Sequence, residues 1–580
     1  MIHLARSLPA TLGVLVCCTG LVAQAPLVYT VDGSLTNPGT NEFTDIQSAI
    51  NAIPVQSGTT NPNIASQSVT IQIKDTVTYT PPQSILIRTR GAPGIILRLE
   101  SAPTNVGRVT ILGSNANYNS AINVLGACYW HIRGLEVDGT VAANPSADKG
   151  GIRVGPQRVD AAGQYNTAAP LVDLLVSHHI VIEDCEAHHC SYTGIGIDSS
   201  HDCSIVNCDA HHNTDEQGAA VGDNADGIQI FYSTFWNTFG GDPRQSHGNS
   251  IIGCRSWRNS DDGFDCWRSF PVEIRSSWAW SNGTPVLSDG VPGFRGNGVG
   301  FKLGREGDGN TVVNCVAFDN DEYGFSSNGS DGVCRFYNCT AFRNRLYNFL
   351  SRYADSDQPH ILVNNLSWQG GNGDHSVNGA VVEINNSWNI GYTFSAGDFE
   401  AIPAATGFTI PARLKGGFLP PDALVRPVPG TMLKGLWSHI PPTLSIDTQV
   451  APPRAHLGAI DIPFGGPVST AVIEGRTQVG ALVDEATLDV ELALYATTNS
   501  ASVGKHNLYL GYSGITDPAF PTGLQIDDVA VYFEHTQAFP SGTASFFAIP
   551  LSSLNRYSLF QVVGGSPLEF SPIVQLRSDT

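Results

Sequence analysis

Basic residues are scarce in this chain. Its 580 residues hold 31 Lys and Arg against 52 Asp and Glu, a formal charge of −21. That balance excludes nucleic acid as the natural partner and leaves an anionic polymer as a partner only if a metal or a local basic patch intervenes. Charged residues of either sign make up only 14 % of the chain. Long hydrophobic runs are also missing. The longest, LPATLGVLVCCTGLVA near the N-terminus, is too short to span a bilayer, so no membrane span is expected. It follows Arg6 and precedes the small-residue stretch Ala23–Ala25, the pattern of a cleaved export signal over residues 1–25. A secreted, periplasmic or cell-surface location is the corresponding expectation, although Pro26 just after the site is awkward for cleavage.

What the chain has in excess is turn-formers. Gly 61 and Pro 35, with abundant Asn and Ser, favour a turn-rich all-β structure over long helices. The length is too great for one ordinary core and predicts either two domains or a repeat array.

The repeat is visible. A nine-residue unit recurs as IEDCEAHHC (182–190), IVNCDAHHN (205–213), IIGCRSWRN (251–259), IRSSWAWSN (274–282), VVNCVAFDN (312–320), FYNCTAFRN (336–344) and LVNNLSWQG (362–370). Its shortest spacing is 23 to 24 residues, and longer intervals carry Gly/Pro-rich insertions. A period in the twenties with short alternating apolar runs is the mark of a β-solenoid. Stacked coils place like over like at about 4.8 Å. Cys185, Cys208, Cys254, Cys315 and Cys339 would then form one ladder, with Ser277 and Asn365 filling its gaps. His188, His211, Trp257, Trp280, Phe318, Phe342 and Trp368 would form an aromatic file. Asn213, Asn259, Asn282, Asn320 and Asn344 would form a ladder of amides, suited to turns because Asn tolerates the left-handed backbone region. On this reading the cysteines are buried free thiols filling rungs, and the paired histidines His178/His179, His188/His189 and His211/His212 are read as ladder members and surface neighbours, with a metal cluster as the alternative.

A second register runs TGIGI, DGIQI, DGFDC, VGFKL, YGFSS and YNFLS. Ile195, Ile228, Phe264, Phe301, Phe325 and Phe349 should face inward, and the residues after them (Gly196, Gln229, Asp265, Lys302, Ser326, Leu350) outward. FTDIQSAINAIP spaces its apolar residues as an amphipathic helix at about 43–53, placed to cap the first open coil. The expected organisation is a β-helix over 26–465, with a C-terminal return segment at about 400–465, followed by an all-β, sandwich-like module over 466–580. PPRAHLGAIDIPF (452–464) reads as the last return of chain onto the helix.

NSDDGFDCW (259–267) puts three carboxylates in five residues. The register sets Asp226 and Asp262 at one position on adjacent coils, and Asp265 and Lys302 at another. Asp226, Asp261, Asp262 and Asp265 would converge on one face, with Lys302, one of six lysines, beside them. Crowded carboxylates are the hard oxygen donors that Ca²⁺ takes. An ion pair with Asp265 alone would keep Lys302 protonated; a bound Ca²⁺ would take up that charge and make the lysine a base.

ADGI (225–228), NSDDGFDCW and NGVGFKLG (297–304) resemble, in order and rough spacing, the motifs of the family 9 polysaccharide lyases, pectate lyases with a right-handed parallel β-helix fold. The resemblance covers about residues 120–370. It implies that Asp226, Asp261, Asp262 and Asp265 bind a catalytic Ca²⁺, that Lys302 abstracts the C5 proton of a uronate, and that an acidic, pectate-like polysaccharide is cleaved by β-elimination by a monomer. Arg258, Arg268, Arg305, Arg343 and Arg345 are candidate contacts for its carboxylates. The lysine motif has one extra residue, and residues 233–246 form a longer insertion; both would alter subsites more than chemistry. Three alternatives stay open. A β-helical glycoside hydrolase would use paired carboxylates as acid and base, but the Gly-His-Gly and Arg-Ile-Lys motifs of polygalacturonase-like hydrolases are absent. A uronate C5-epimerase shares the proton abstraction. A non-catalytic solenoid adhesin needs only the repeat.

Overall fold

The computed structural model describes the chain from Leu27 to residue 419 apart from short stretches, among them 57–62, 114–119, 140–149, 216–220 and 284–294. Beyond that it describes the backbone of isolated strands only. The proposed export signal and residues 452–464 lie outside the described residues.

Three parallel sheets, here A, B and C, wind along one axis. Among the described residues sheet A has 13 strands, sheet B ten and sheet C nine. From Leu97–Ser101 to Gly373–Asn378 each coil contributes one short strand to each sheet in chain order, so the chain forms a parallel β-helix. One coil runs from Val272–Arg275 (sheet A) to Trp278–Trp280 (sheet C) and on to Phe301–Lys302 (sheet B). Insertions leave at the turns, and the strands keep register across them: Phe264 pairs with Phe301 even though residues 284–294 intervene.

The expected ladders are present. Phe264, Phe301, Phe325 and Phe349 stack inside with ring centroids 4.6, 4.9 and 5.0 Å apart. The ten cysteines from Cys128 to Cys339 are all buried free thiols. They do more than fill space. The N–H of Cys185 donates to Cys208 Sγ and that of Cys208 to Cys254 Sγ, each at 3.4 Å. The N–H of Cys254 donates to Ser277 Oγ at 3.1 Å, and that of Cys339 to Asn365 Oδ1 at 2.9 Å. Cys, Ser and Asn share this file because each accepts a backbone donor from the preceding coil, which an apolar filler could not do.

The asparagine ladder works the same way, although not through its own backbone conformation. The left-handed residue sits one position earlier, at His212, Arg258, Ser281, Asp319 and Arg343, with φ between 53° and 55°. The turn leaves the next N–H pointing along the helix axis. Asn282 Oδ1 accepts both the N–H of Asn259 (3.2 Å) and its Nδ2 (3.0 Å), and Asn282 donates onward to Asn320 Oδ1. All five amides are buried.

The N-terminal helix is Ile46–Asn51, shorter than the expected 43–53. Asp45 caps it by accepting from the N–H of Ser48, and Phe43 belongs instead to an edge strand, Glu42–Phe43, paired with Leu27–Val31. Ile46, Ala49 and Ile50 are buried against the first coil.

The aromatic file lies on the outer face of sheet C, since Ala187, Ala210, Ala279, Ala317 and Ala341 occupy the inner one. Trp257 and Trp280 stack at 4.7 Å, and Phe318 and Phe342 at 4.8 Å. Such a stripe needs a cover. The returning chain supplies it: Phe394, Phe399, Ile402 and Phe408 pack on the file. Arg343 donates to the carbonyl of Pro403, Arg255 to that of Pro411, and Arg413 to that of Gly253. Arg413, Arg255 and Arg108 converge on buried Asp209. Burial raises the pKa of that carboxyl, but the three guanidinium groups outweigh burial and hold it below the usual range. Farther along the chain, Thr470–Thr477, Asp489–Thr497 and Ala544–Pro550 form an antiparallel sheet, and Gly504–Leu510 pairs with Val529–His535.

Asn282→Ala removes the acceptor of two buried donors, and each orphaned group costs about 1–3 kcal/mol. We expect destabilisation of about 3 kcal/mol, read as a lower midpoint in urea; an unchanged midpoint would mean that the ladder contributes nothing to stability.

Candidate active site

Sheet B carries the acidic cluster. Asp261 and Asp262 lie in the turn from sheet C to sheet B, and the strand Phe264–Asp265 follows at once. Pairing of Ile228 with Phe264 sets Asp226 level with Asp262 one coil away, and Asp265 pairs with Lys302. The reading of adjacent-coil positions therefore holds for both pairs. Oxygen atoms of Asp226, Asp261 and Asp262 come within 4.8 Å of one another. Backbone donors fix their orientation: the N–H of Asp262 donates to Asp226 Oδ1 (3.2 Å), that of Asn297 to Asp261 Oδ1 (2.7 Å) and that of Val299 to Asp262 Oδ1 (2.8 Å). Lys302 Nζ donates to Asp262 Oδ2 and lies 3.1 Å from Asp265 Oδ2.

These side chains follow the inward-facing positions of the strand and stand on its outer face as expected, yet they are not solvated. Asp262 is fully buried, and Asp226, Asp261 and Asp265 are 4 % exposed or less. Four buried carboxylates face one ammonium. Burial, then the charges of Asp265, Asp261 and Asp262, push the Asp226 pKa well up. Burial and then Asp262 do the same to Asp261. Burial raises the Asp265 carboxyl to about 6 despite Lys302. Burial opposes the charge on Lys302, but Asp262, Asp265, Asp261 and Asp226 outweigh it and hold the lysine well above its usual range. Asp265 Oδ1 is buried with no hydrogen-bond partner. An orphaned carboxylate oxygen beside uncompensated negative charge is what a hard cation would satisfy, so Asp226, Asp261 and Asp262 fit a Ca²⁺ ion, while Asp265, whose oxygens lie outside that group, stands at its edge beside Lys302.

The arginines divide. Arg268 pairs with Glu306 at 2.8 Å and lies over the Trp267 ring, with Arg305 acting on the same glutamate, at the sheet B to sheet A edge. Arg345 is exposed, pairs with Asp321 at 2.9 Å and acts on Glu322. These three remain on rims where a polyanion could reach them. Arg258 and Arg343 do not join the cluster. Both have φ of 53° at the sheet C end of the turn; Arg258 lies beside His212, and Arg343 is committed to Asp319 and the Pro403 carbonyl. The structure also adds residues that the register did not reveal. Asp223 lies within the electrostatic reach of Lys302, and Glu322 within that of Asp262. Asp223 precedes Asp226 by three residues in GDNADG, outside any repeated position, so only that local crowding of acids pointed to it.

Fold and site together define a β-helical protein with a carboxylate–lysine centre on one sheet, of the class that includes polysaccharide lyases. Residues 29–365 match the family model described as Pel9A-like, right handed beta helix region, and the chain belongs to that family. The chain is 33 % identical over 302 residues to pectate lyase L of Dickeya chrysanthemi, covering 51 % of this chain and 60 % of that protein. It is 26 % identical over 206 residues to pectate lyase PEL9 of Emericella nidulans, covering 32 % and 48 %. The chain thus spans well under two thirds of the length of these relatives. The crystal structure of pectate lyase Pel9A aligns with a TM-score of 0.56 and 26 % identity, covering 76 % of this chain and 98 % of that one. A rhamnogalacturonan lyase, 20 % identical, shares the fold with a TM-score of 0.51 over 70 % of this chain and 97 % of that one.

The raised Asp265 carboxyl has a stability consequence. A folded-state value of about 6 against 3.8 means that the folded protein holds the proton more tightly. The stability linked to that proton is present below pH 4 and is lost as pH rises through 6. Metal-stripped Asp265→Asn should therefore melt a few degrees above metal-stripped wild type at pH 8 and level with it at pH 4. Scanning calorimetry at both pH values checks this, and a variant that melts lower at pH 8 would contradict it.

Proposed function

We propose that this protein is a secreted polysaccharide lyase that cleaves pectate-type uronate polymers by Ca²⁺-assisted β-elimination, with Lys302 as the base. The observation that carries the reading is the buried convergence of Asp226, Asp261, Asp262 and Asp265 around Lys302. The resemblance to pectate lyases supports the choice of substrate class.

Asp226, Asp261, Asp262 and Asp265 would hold a Ca²⁺ ion, whose charge would offset their repulsion and polarise a uronate carboxylate. The chain's own groups do the rest. Lys302 Nζ, fixed by Asp262 and Asp265, stands on the outer face of sheet B one strand from the cluster. With its proton lost, it accepts the C5 proton of the uronate. The electron pair from the C5–H bond forms the C4–C5 double bond, the C4–O4 bond breaks, and the departing oxygen takes a proton from water. The product is a 4,5-unsaturated uronate end. The carboxylates that hold Lys302 protonated must be neutralised before it can act, which ties base strength to occupancy of the site. Arg268, Arg305 and Arg345 would contact carboxylates of neighbouring uronates.

We also propose that the chain reaches its polymer by export through residues 1–25. Secreted protein from an expressing host should lack those residues by intact-mass measurement; retention of the full N-terminus in the cell would oppose this.

For catalysis, an ultraviolet assay on polygalacturonate should show product formation that a chelator abolishes and Ca²⁺ restores. Lys302→Ala should lower the rate by about 10³-fold, within the range of a lost general base, while melting within a few degrees of wild type. Saturated reducing ends without the ultraviolet signal would favour the hydrolase. Altered C5 configuration without chain cleavage would favour the epimerase, and either result would overturn the proposal.

A further inference from the structure

The aromatic file on sheet C changes character at its N-terminal end. Trp257 stacks on His211 at 4.2 Å, His211 on His188 at 5.0 Å, and His188 is paired in register with Asp138. Each histidine of the file is followed by another at φ of 54°, His189 and His212. The left-handed turn bends the chain so that neighbouring side chains, which would point apart in a strand, converge. Nδ1 of His188 lies 2.6 Å from Nδ1 of His189, and Nδ1 of His211 lies 2.7 Å from that of His212. His178 and His179 repeat the contact at 2.7 Å.

Two ring nitrogens at that distance share a proton as they stand and would have to part by about 0.7 Å to share a tetrahedral metal ion, and the three pairs differ in what surrounds them. At His178, Arg90 Nη2 lies 3.1 Å from Nε2 and brings a positive charge that would repel a metal. At His211, Nε2 is held by Glu186 Oε1 at 2.7 Å, but the file position below is the His188 ring and not a carboxylate. Only the His188 pair combines all the elements. Glu136 Oε1 lies 3.0 Å from His188 Nε2 and accepts its N–H, the tautomer that leaves a lone pair on Nδ1. Glu136 is itself oriented by Thr110 Oγ1 at 2.9 Å. Asp138 Oδ1 lies 3.7 Å from His188 Nδ1, and all three donor atoms fall within 4.8 Å of one another. Gly139 has no Cβ to keep this strand end from the His189 and Cys190 backbone, which a side chain would meet at 2.4–2.8 Å.

We propose that Asp138, His188 and His189 form a second metal site, separate from the acidic cluster and selective for a Zn²⁺-class transition cation. Imidazole nitrogen prefers such ions to Ca²⁺. Tetrahedral ligands at 2.0–2.1 Å stand about 3.3 Å apart, between the two separations seen here, so small side-chain rotations seat the ion. The carboxylate on the distal ring nitrogen is the usual outer partner of a metal-bound histidine. His189 is exposed, which leaves the remaining positions open to water. The site would tie the turns of two adjacent coils together.

Calorimetric titration of the metal-stripped full chain with Zn²⁺, in millimolar Ca²⁺ to saturate the acidic cluster, tests this. Wild type should show a one-equivalent event. His189→Asn, chosen because Asn tolerates the left-handed turn, should abolish it. Glu136→Gln should weaken it about 10- to 100-fold, and His212→Asn should leave it unchanged. Cobalt substitution should give the visible bands of a tetrahedral centre in wild type and not in His189→Asn. Absence of the event in wild type, its survival in His189→Asn, or its loss in His212→Asn would each overturn the proposal. None of these readouts depends on lyase activity, so the result stands apart from the proposed function.

Discussion

The structure depends on satisfying backbone donors along the helix axis. Sheet hydrogen bonds pair the strands, but each coil also turns through left-handed residues, and the N–H after each such turn points at the next coil. The side chains of Cys208, Cys254, Ser277, Asn282 and Asn320 accept those donors, one coil after another. A buried donor without an acceptor is costly, so register cannot drift by even one residue. Insertions can therefore leave only at the turns, and the coils on either side of residues 284–294 stay in line.

That rigidity is what allows charge to be crowded. A flexible surface would relax four aspartates apart and solvate them. Here Asp226 and Asp262 are held level by strand pairing, and backbone donors from Asn297 and Val299 fix Asp261 and Asp262. The energy needed to keep those charges buried comes from the fold, and the result is a preorganised site for a cation and a strong electrostatic hold on Lys302. The same fold uses opposite logic at Asp209, where three arginines surround one carboxylate and lock the returning chain over the aromatic file. One cluster has excess negative charge and an orphaned oxygen; the other is overcompensated and closed.

Sheet C divides in the same way. From Trp257 onward its outer file is apolar and covered by residues 394–413. On the N-terminal side of Trp257 the file becomes imidazole, with Glu136, Glu186 and Asp138 as polar partners. Aromatic stacking geometry persists across the change, so one register serves two chemistries.

Much of this was legible from the residues because a solenoid converts sequence period directly into neighbourhood. The ladders of cysteine, asparagine and phenylalanine, and the approach of Asp226, Asp261, Asp262, Asp265 and Lys302, follow from aligning repeats. What lies between repeats did not follow. Asp223 comes within reach of Lys302, and Glu322 within that of Asp262, through turn geometry that no period encodes, and Arg343 turned to Asp319 and Pro403 because its left-handed backbone directs it to the sheet C side. The inner or outer placement of the aromatic file, its cover, and the convergence of Asp138 with His188 and His189 were likewise undecided by pattern. The sequence by itself determined which residues stack, because stacking is local pairing repeated. The tertiary structure alone decided how deeply those stacks are buried and which charges they meet, because burial and field depend on every coil and on the segment that returns across them.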